Sequence, residues 1–185
     1  MKTPACNLSR RHFLQTLSVA ATGLALYSPW RDVFAAAAQD RTLSFFHTHT
    51  GEHLKLTYFS AGLYHDDALV ELNRYLRDFR TNEIHPMDAN LFDILYAMKS
   101  ACNSNGTFEV ISGYRSPVTN KSLRKQGRGV AEHSLHMVGK AIDIRLTDVN
   151  TVYLKKAAAS LKRGGVGYYA KSDFIHVDTG RVRYW

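Results

Sequence analysis

The chain has 185 residues, 45% of them hydrophobic, and a formal net charge of +8. That length suffices for one domain with a real core, and no internal repeat or linker divides it. Two cysteines exclude a disulfide framework, and the basic residues lack the stacking aromatics of a nucleic-acid binder, which excludes that partner class.

The first 38 residues read as a targeting segment. Ser9-Arg10-Arg11-His12-Phe13-Leu14-Gln15 matches a twin-arginine export signal, the apolar stretch Thr16 to Tyr27 follows, and Ala35 to Ala38 offers small residues for cleavage near Ala38. The apolar stretch is too short, and too rich in Ala, Ser, Thr and Gly, to span a membrane, so a mature periplasmic protein without a span is expected. Cleavage removes four of the 24 basic and one of the 16 acidic residues, leaving a net charge of +5. Cys6 leaves with the signal, so Cys102 has no internal partner and stability must come from the core and a bound metal. The remaining positive balance suits a carboxylate-bearing cell-wall polymer, although a scattered +5 is also an ordinary soluble surface.

In residues 39–185, Arg41 to His47 and His53 to Phe59 alternate around Thr50-Gly51-Glu52 and predict a β-hairpin. Leu69, Leu72, Tyr75, Leu76 and Phe79 have helical spacing and predict a helix from Asp67 to Phe79. Asp88 is placed to cap a second helix through Leu91, Ile94, Leu95 and Met98. Phe108 to Ser112 reads as a strand that delivers Gly113-Tyr114-Arg115 to a loop. The segment Ser116 to Leu135 is basic and rich in Gly, Ser and Asn, with a short helix over Thr119 to Gln126; so long a connection in one domain is usually functional. Lys140 to Arg145 predicts a strand, Val149 to Lys162 a helix, and Gly167 to Ala170 and Phe174 to Asp178 two more strands. The sum is an α+β domain, with helices on an antiparallel sheet that bears the site on its face.

Ser134-Leu135-His136-Met137-Val138-Gly139-Lys140-Ala141-Ile142-Asp143 is answered downstream by His176. Two neutral imidazoles and one carboxylate are the ligand set of a catalytic zinc with one coordination position left open; iron or manganese also fits such donors. Gly139 permits the tight turn that lets His136 and Asp143 converge. Singly, each histidine is an ordinary half-buried side chain; the ordered set favours a metal.

Ser-x-His-x-x-Gly-x-Ala-x-Asp with a later His, and with Ser112-Gly113-Tyr114-Arg115-Ser116 upstream, resembles the zinc D-Ala-D-Ala carboxypeptidase and dipeptidase family, within the wider group of lysostaphin-type peptidases and hedgehog domains. The resemblance runs from about Thr42 to Trp185, is strongest to the family's murein endopeptidase branch, and includes Gly164 to Tyr169 and the terminal Arg-Tyr-Trp. It implies a hedgehog/D,D-peptidase-like fold, one zinc ion on His136, Asp143 and His176, and hydrolysis of peptidoglycan cross-links at bonds involving D-alanine or meso-diaminopimelate.

It also implies roles for neighbouring residues. Asp173, three residues before His176, stands where the family places its general base, against the alternative of a turn residue. Arg115 matches the arginine that faces the reacting carbonyl or a substrate carboxylate, a task suited to its bidentate fork. Asp178 is either a partner orienting an imidazole or a turn residue before Thr179-Gly180. Ser134 matches the family's serine, and His133 is either a substrate contact or a solvated loop residue. Arg124, Lys125 and Arg128 are either contacts to stem-peptide carboxylates or an uninvolved loop. Two other functions remain open on this reading. One is a carboxypeptidase trimming terminal D-alanine; the other is a non-catalytic peptidoglycan-binding module that keeps its metal for stability.

Overall fold

Alternating apolar side chains build the sheet, and helices fill one of its faces. The computed structural model describes residues 39–127 and 129–185, so the expected export signal and Arg128 lie outside the described residues. Strands β1 (Arg41–His47) and β2 (His53–Ser60) form the expected hairpin, with Leu43, Phe45 and His47 buried from β1. A short strand β3 (Leu63–Tyr64) folds back and pairs antiparallel with the end of β2.

Helix α1 (Asp66–Tyr75) ends four residues before Phe79, the expected limit. The cause is Asp78, whose carboxylate accepts from Arg80 N at 3.0 Å and from Ser116 N at 2.8 Å. A side chain that offers the backbone such bonds competes with helix continuation. Helix α2 (Ala89–Ala101) begins at the expected cap, Asp88 Oδ1 accepting from Asn90 N at 3.0 Å. Strand β4 (Phe108–Ser112) follows, then α3 (Pro117–Lys125), which starts two residues earlier than expected because Ser116 caps it and Pro117 fits its first turn. Strand β5 (Ala141–Leu146), helix α4 (Thr151–Leu161) capped by Asn150, and strands β6 (Gly165–Tyr169), β7 (Phe174–Asp178) and β8 (Arg183–Tyr184) complete the order.

The eight strands form one sheet in the order β3-β2-β1-β4-β5-β7-β6-β8. Most pairs are antiparallel, as expected of this α+β domain, whereas β1 with β4 and β6 with β8 are parallel. The β1–β4 pair is joined through two helices, the kind of long crossover that parallel strands require. On β5 and β7, Ile142, Ile144, Ile175 and Val177 are fully or almost fully buried on the helix-bearing face, where α4 packs against β5, β6 and β7 and α2 against β1. Side chains alternate across a strand, so Asp143 and His176 necessarily occupy the opposite face.

Among the described residues no helix is long and apolar enough to cross a membrane.

Candidate metal centre

The site is a row of the sheet. Register pairs Ser112 of β4 with Asp143 of β5, Asp143 with His176 of β7, and His176 with Gly167 of β6. A register shift between Val110 and Ser112 brings Ser112 opposite Asp143 and re-aims it to the site face. The fourth position of the row carries no side chain, and the Trp185 ring fills that space; a Cβ on Gly167 would fall within 2.5 Å of the indole. The Trp185 ring thereby lies 5.3 Å from the His176 ring, centroid to centroid.

His136 enters from a 3₁₀ turn, Leu135–Val138, that closes on Gly139 at φ +65°. A side chain there would meet the Pro86 carbonyl as well as the wrong half of φ space, so the turn needs glycine. The turn also accepts a bond from Arg115 N at the His136 carbonyl, at 3.1 Å, which ties the β4 exit loop to the ligand loop.

Hydrogen bonding fixes both imidazoles. His136 Nδ1 lies 2.7 Å from the Gly113 carbonyl, and His176 Nε2 lies 2.9 Å from Asp178 Oδ2. Both partners only accept, so each of these nitrogens carries the proton. That leaves His136 Nε2 and His176 Nδ1 bare in the neutral rings. They point at one oxygen, Asp143 Oδ1, at 3.2 and 2.9 Å, and at each other at 3.2 Å. Three lone-pair donors at such separations repel unless a proton or a cation lies among them. All three residues are buried, and their donor atoms fall within 4.8 Å of one another, the spacing a single metal ion can bridge. The chemistry of the donor set therefore fits a divalent ion of the zinc type.

Electrostatics follow the same geometry. Burial opposes the charge on Asp143, but His136 and His176 hold its carboxyl well below the usual range. Burial pushes His136 down. It also opposes charge on His176, where bonds to Asp143 and Asp178 prevail and carry the imidazole up to about 9. In the metal-free protein, then, a proton on His176 occupies the place between the donors.

Asp178 is completely buried and saturated. Oδ1 accepts from Gly165 N, Gly180 N and Arg183 Nη1, and Oδ2 accepts from Arg183 Nη2 at 2.6 Å and from His176 Nε2. It therefore both closes the turn at Gly180 and orients the His176 ring, an arrangement that fixes the nitrogen offered to a metal. Arg115 is likewise buried, with Nη2 at 3.6 Å from Asp143 Oδ2 and no hydrogen-bond partner for Nε among the described residues. Burial lowers its pKa, and Asp143 partly offsets this.

Sequence reasoning and structure part company at Asp173. It lies at φ +49° where a 3₁₀ turn ends, accepts a hydrogen bond from Thr151 Oγ1, and lines a separate shallow cavity with Glu109 and Arg145. The structure does not bring it to the cluster, because the left-handed residue turns its carboxylate towards the start of α4. Ser134 opens the ligand turn without capping it through its hydroxyl, and His133 is exposed on the adjacent loop; both line the cavity above the cluster. Arg124 pairs with Glu132 at 3.1 Å and, like Lys125, does not line that cavity.

The cavity has a volume of about 950 Å³ and holds His136, Asp143 and His176 among its lining residues. It runs from Thr48 and His49, just after β1, to Trp185, just after β8. The Trp185 indole sits over Gly167 of β6, so the cavity crosses four strand intervals, roughly 19 Å at about 4.8 Å each. Its lining includes Arg80, Arg115, Arg145 and Arg183, with Asp143 as the one side-chain carboxylate among the described lining residues. His49, Arg80, Tyr169 and Arg183 were not legible as cleft residues from the chain. For Tyr169 and Arg183 the one signal was the inclusion of Gly164–Tyr169 and the terminal Arg-Tyr-Trp in the family resemblance; His49 and Arg80 had none.

Comparison with known proteins places the chain. The family model described as peptidoglycan L,D-endopeptidase MepK, a peptidase M15 group, matches residues 35–185. The peptidoglycan L,D-endopeptidase MepK of Escherichia coli K12 is 37% identical over 177 residues, 96% of this chain and 97% of that protein. A probable peptidoglycan L,D-endopeptidase MepK of Haemophilus influenzae is 47% identical over 146 residues, 78% of each chain. The chain belongs to this family of M15 peptidases.

Proposed function

We propose that this chain, as a member of that family, is an exported, zinc-dependent peptidoglycan L,D-endopeptidase, with one zinc ion on His136, Asp143 and His176 and peptidoglycan stem peptides as substrate. The observation that carries the reading is the meeting of His136 Nε2, His176 Nδ1 and an Asp143 carboxylate oxygen at the floor of a cationic cleft. The relatives' names supply the bond class. When bound, the ion supplies Lewis acidity towards the scissile amide and water.

The chain's own residues divide the remaining work. Gly113 and Asp178 hold the ligand imidazoles by their outer nitrogens. Arg115 stays charged beside Asp143 and presents its fork to the amide oxygen or to a free stem carboxylate. The excess of arginine over carboxylate in the cleft favours stem peptides, which carry free carboxylates. Ser134 and His133 serve as wall contacts to the substrate. Asp173 braces the β6–β7 connection against Thr151, and proton acceptance falls to groups within the cleft, among which His49 and His133 are the non-ligand imidazoles.

A cleft that crosses most of the sheet favours an endopeptidase over a carboxypeptidase, which needs a closed end for a terminal carboxylate. Mass spectrometry of muropeptides after digestion of sacculi tests the reading. Zinc-loaded protein is expected to open cross-linked dimers at an L,D bond, and a chelator to abolish this. Release of terminal D-alanine alone, or binding to sacculi without release of peptides, overturns it. For residues 1–38 as a twin-arginine signal, the amino-terminal sequence of the periplasmic protein is the test, with a mature start at about Gln39 expected.

A further inference from the structure

We infer that Tyr169 is a catalytic residue, whose phenol O–H donates a hydrogen bond to the scissile carbonyl oxygen as negative charge develops on it, across the cleft from Arg115. The inference rests on the endopeptidase reading above and adds to it a group to which neither the metal motif nor the family resemblance gives a role.

The position of the hydroxyl is built by aromatic packing at the C-terminal side of the cleft. The Tyr169 ring stacks on Phe174 at 4.6 Å with an interplanar angle of 14°, and the two residues are register partners of β6 and β7. Trp185, seated over Gly167 and the His176 ring, donates from Nε1 to Tyr169 Oη at 3.2 Å. Indole nitrogen is a donor only, so the phenol oxygen is the acceptor in this contact. The tyrosine proton is thereby left over, and it reaches no acceptor among the described residues. A phenol O–H prefers the ring plane, which offers it two directions. The indole occupies the lone pair on one of them, so the proton takes the other.

That free donor is in the cleft. Tyr169 is 40% exposed and lines the same cavity as Arg115 and the three ligands. Arg115, buried beside Asp143, lines the same cavity. Two donors of different kinds therefore border one space beside the metal ligands. Donation from Trp185 into the phenol oxygen polarises the O–H and strengthens what it can donate. The tyrosine keeps its proton throughout; the hydrogen bond shortens in the transition state and relaxes as the amine departs. Removing one preorganised donor of this type costs on the order of 10²-fold in kcat.

The test compares wild-type protein with Tyr169→Phe and Trp185→Phe. Each is assayed on cross-linked muropeptides and titrated, zinc-loaded, with a phosphinate isostere of the L,D-dipeptide and with the cleavage product. Tyr169→Phe keeps the ring and its stack. It is expected to lose about 100-fold in kcat with KM within threefold, and to bind the phosphinate weaker by a similar factor with product affinity unchanged. Zinc content and Tm are expected to match wild type. Trp185→Phe removes the N–H but keeps an aromatic ring over His176, and a smaller loss of kcat, about tenfold, is expected. Wild-type kcat in Tyr169→Phe overturns the inference, as does equal weakening of phosphinate and product, which marks general packing. Wild-type protein that cleaves no cross-link overturns the endopeptidase reading itself, a separate result.

Discussion

Removing the metal makes the domain's stability depend on pH in a window set by His176. Its imidazole is raised from 6.5 to about 9 in the metal-free fold, held between Asp143 and Asp178. A folded-state pKa above the unfolded one means that the native protein binds this proton more tightly. The contribution is fully present below pH 6.5 and is lost as pH rises through about 9. At about 1.4 kcal/mol per pKa unit, the loss over that span is about 3 kcal/mol. For a domain of this size that corresponds to roughly 10 °C in Tm. His136 and His47, whose pKa values burial lowers, act on the acid side of 6.5 and leave this window to His176. Zinc takes the place of the proton, so the loaded protein should show a flatter curve and a zinc-induced gain in Tm that grows from pH 6.5 to 9. Thermal unfolding of stripped and zinc-loaded protein at several pH values reads both effects. Calorimetry in buffers of different ionisation enthalpy should detect close to one proton released per ion near pH 7. A stripped protein equally stable at pH 6.5 and 9, with no proton release on loading, refutes the donor geometry assigned to His176.

Three other substitutions probe the neighbourhood. Asp178→Asn keeps size but removes the charge that orients His176, so zinc affinity should fall 10- to 100-fold in a competition titration with a chromophoric chelator. Gly139→Ala forces a Cβ against the Pro86 carbonyl at φ +65°, and chemical denaturation should show a loss of about 1–3 kcal/mol, with weaker zinc binding because the turn carries His136. Asp173→Ala breaks the bond to Thr151 outside the cleft; kcat on cross-linked muropeptides should stay within about threefold of wild type, and a loss of 100-fold or more would restore Asp173 as the base.

Much of the site was readable in the chain because ligand chemistry and strand alternation are both local. His136, Asp143 and His176 could be named from residue type and spacing, and β1, β4 and β7 have the expected bounds. The end of α1 was missed because the residue that stops it, Asp78, bonds to Ser116, 38 positions away. Asp173 was misplaced for a similar reason. A spacing of three residues from a ligand states nothing about φ, and one left-handed residue sends its carboxylate to α4.

What the sequence could not disclose is the lateral order of the strands, and the cleft depends on it. Ser112, Asp143, His176 and Gly167 come from four separate segments, yet they form one transverse row because β4, β5, β7 and β6 lie side by side in that register. Moving β7 by one residue against β5 would turn His176 into the isoleucine-lined core and bring Ile175 or Val177 to the metal. Burial of Ile142, Ile144, Ile175 and Val177 on the helix face opposes that slip, at roughly 1.5–3 kcal/mol for each side chain exposed. The hydrophobic face therefore sets the geometry of the polar one. The same row explains why the C-terminal Trp185 belongs to the site: Gly167 leaves a gap beside His176, and the parallel pairing of β8 with β6 delivers an indole to fill it.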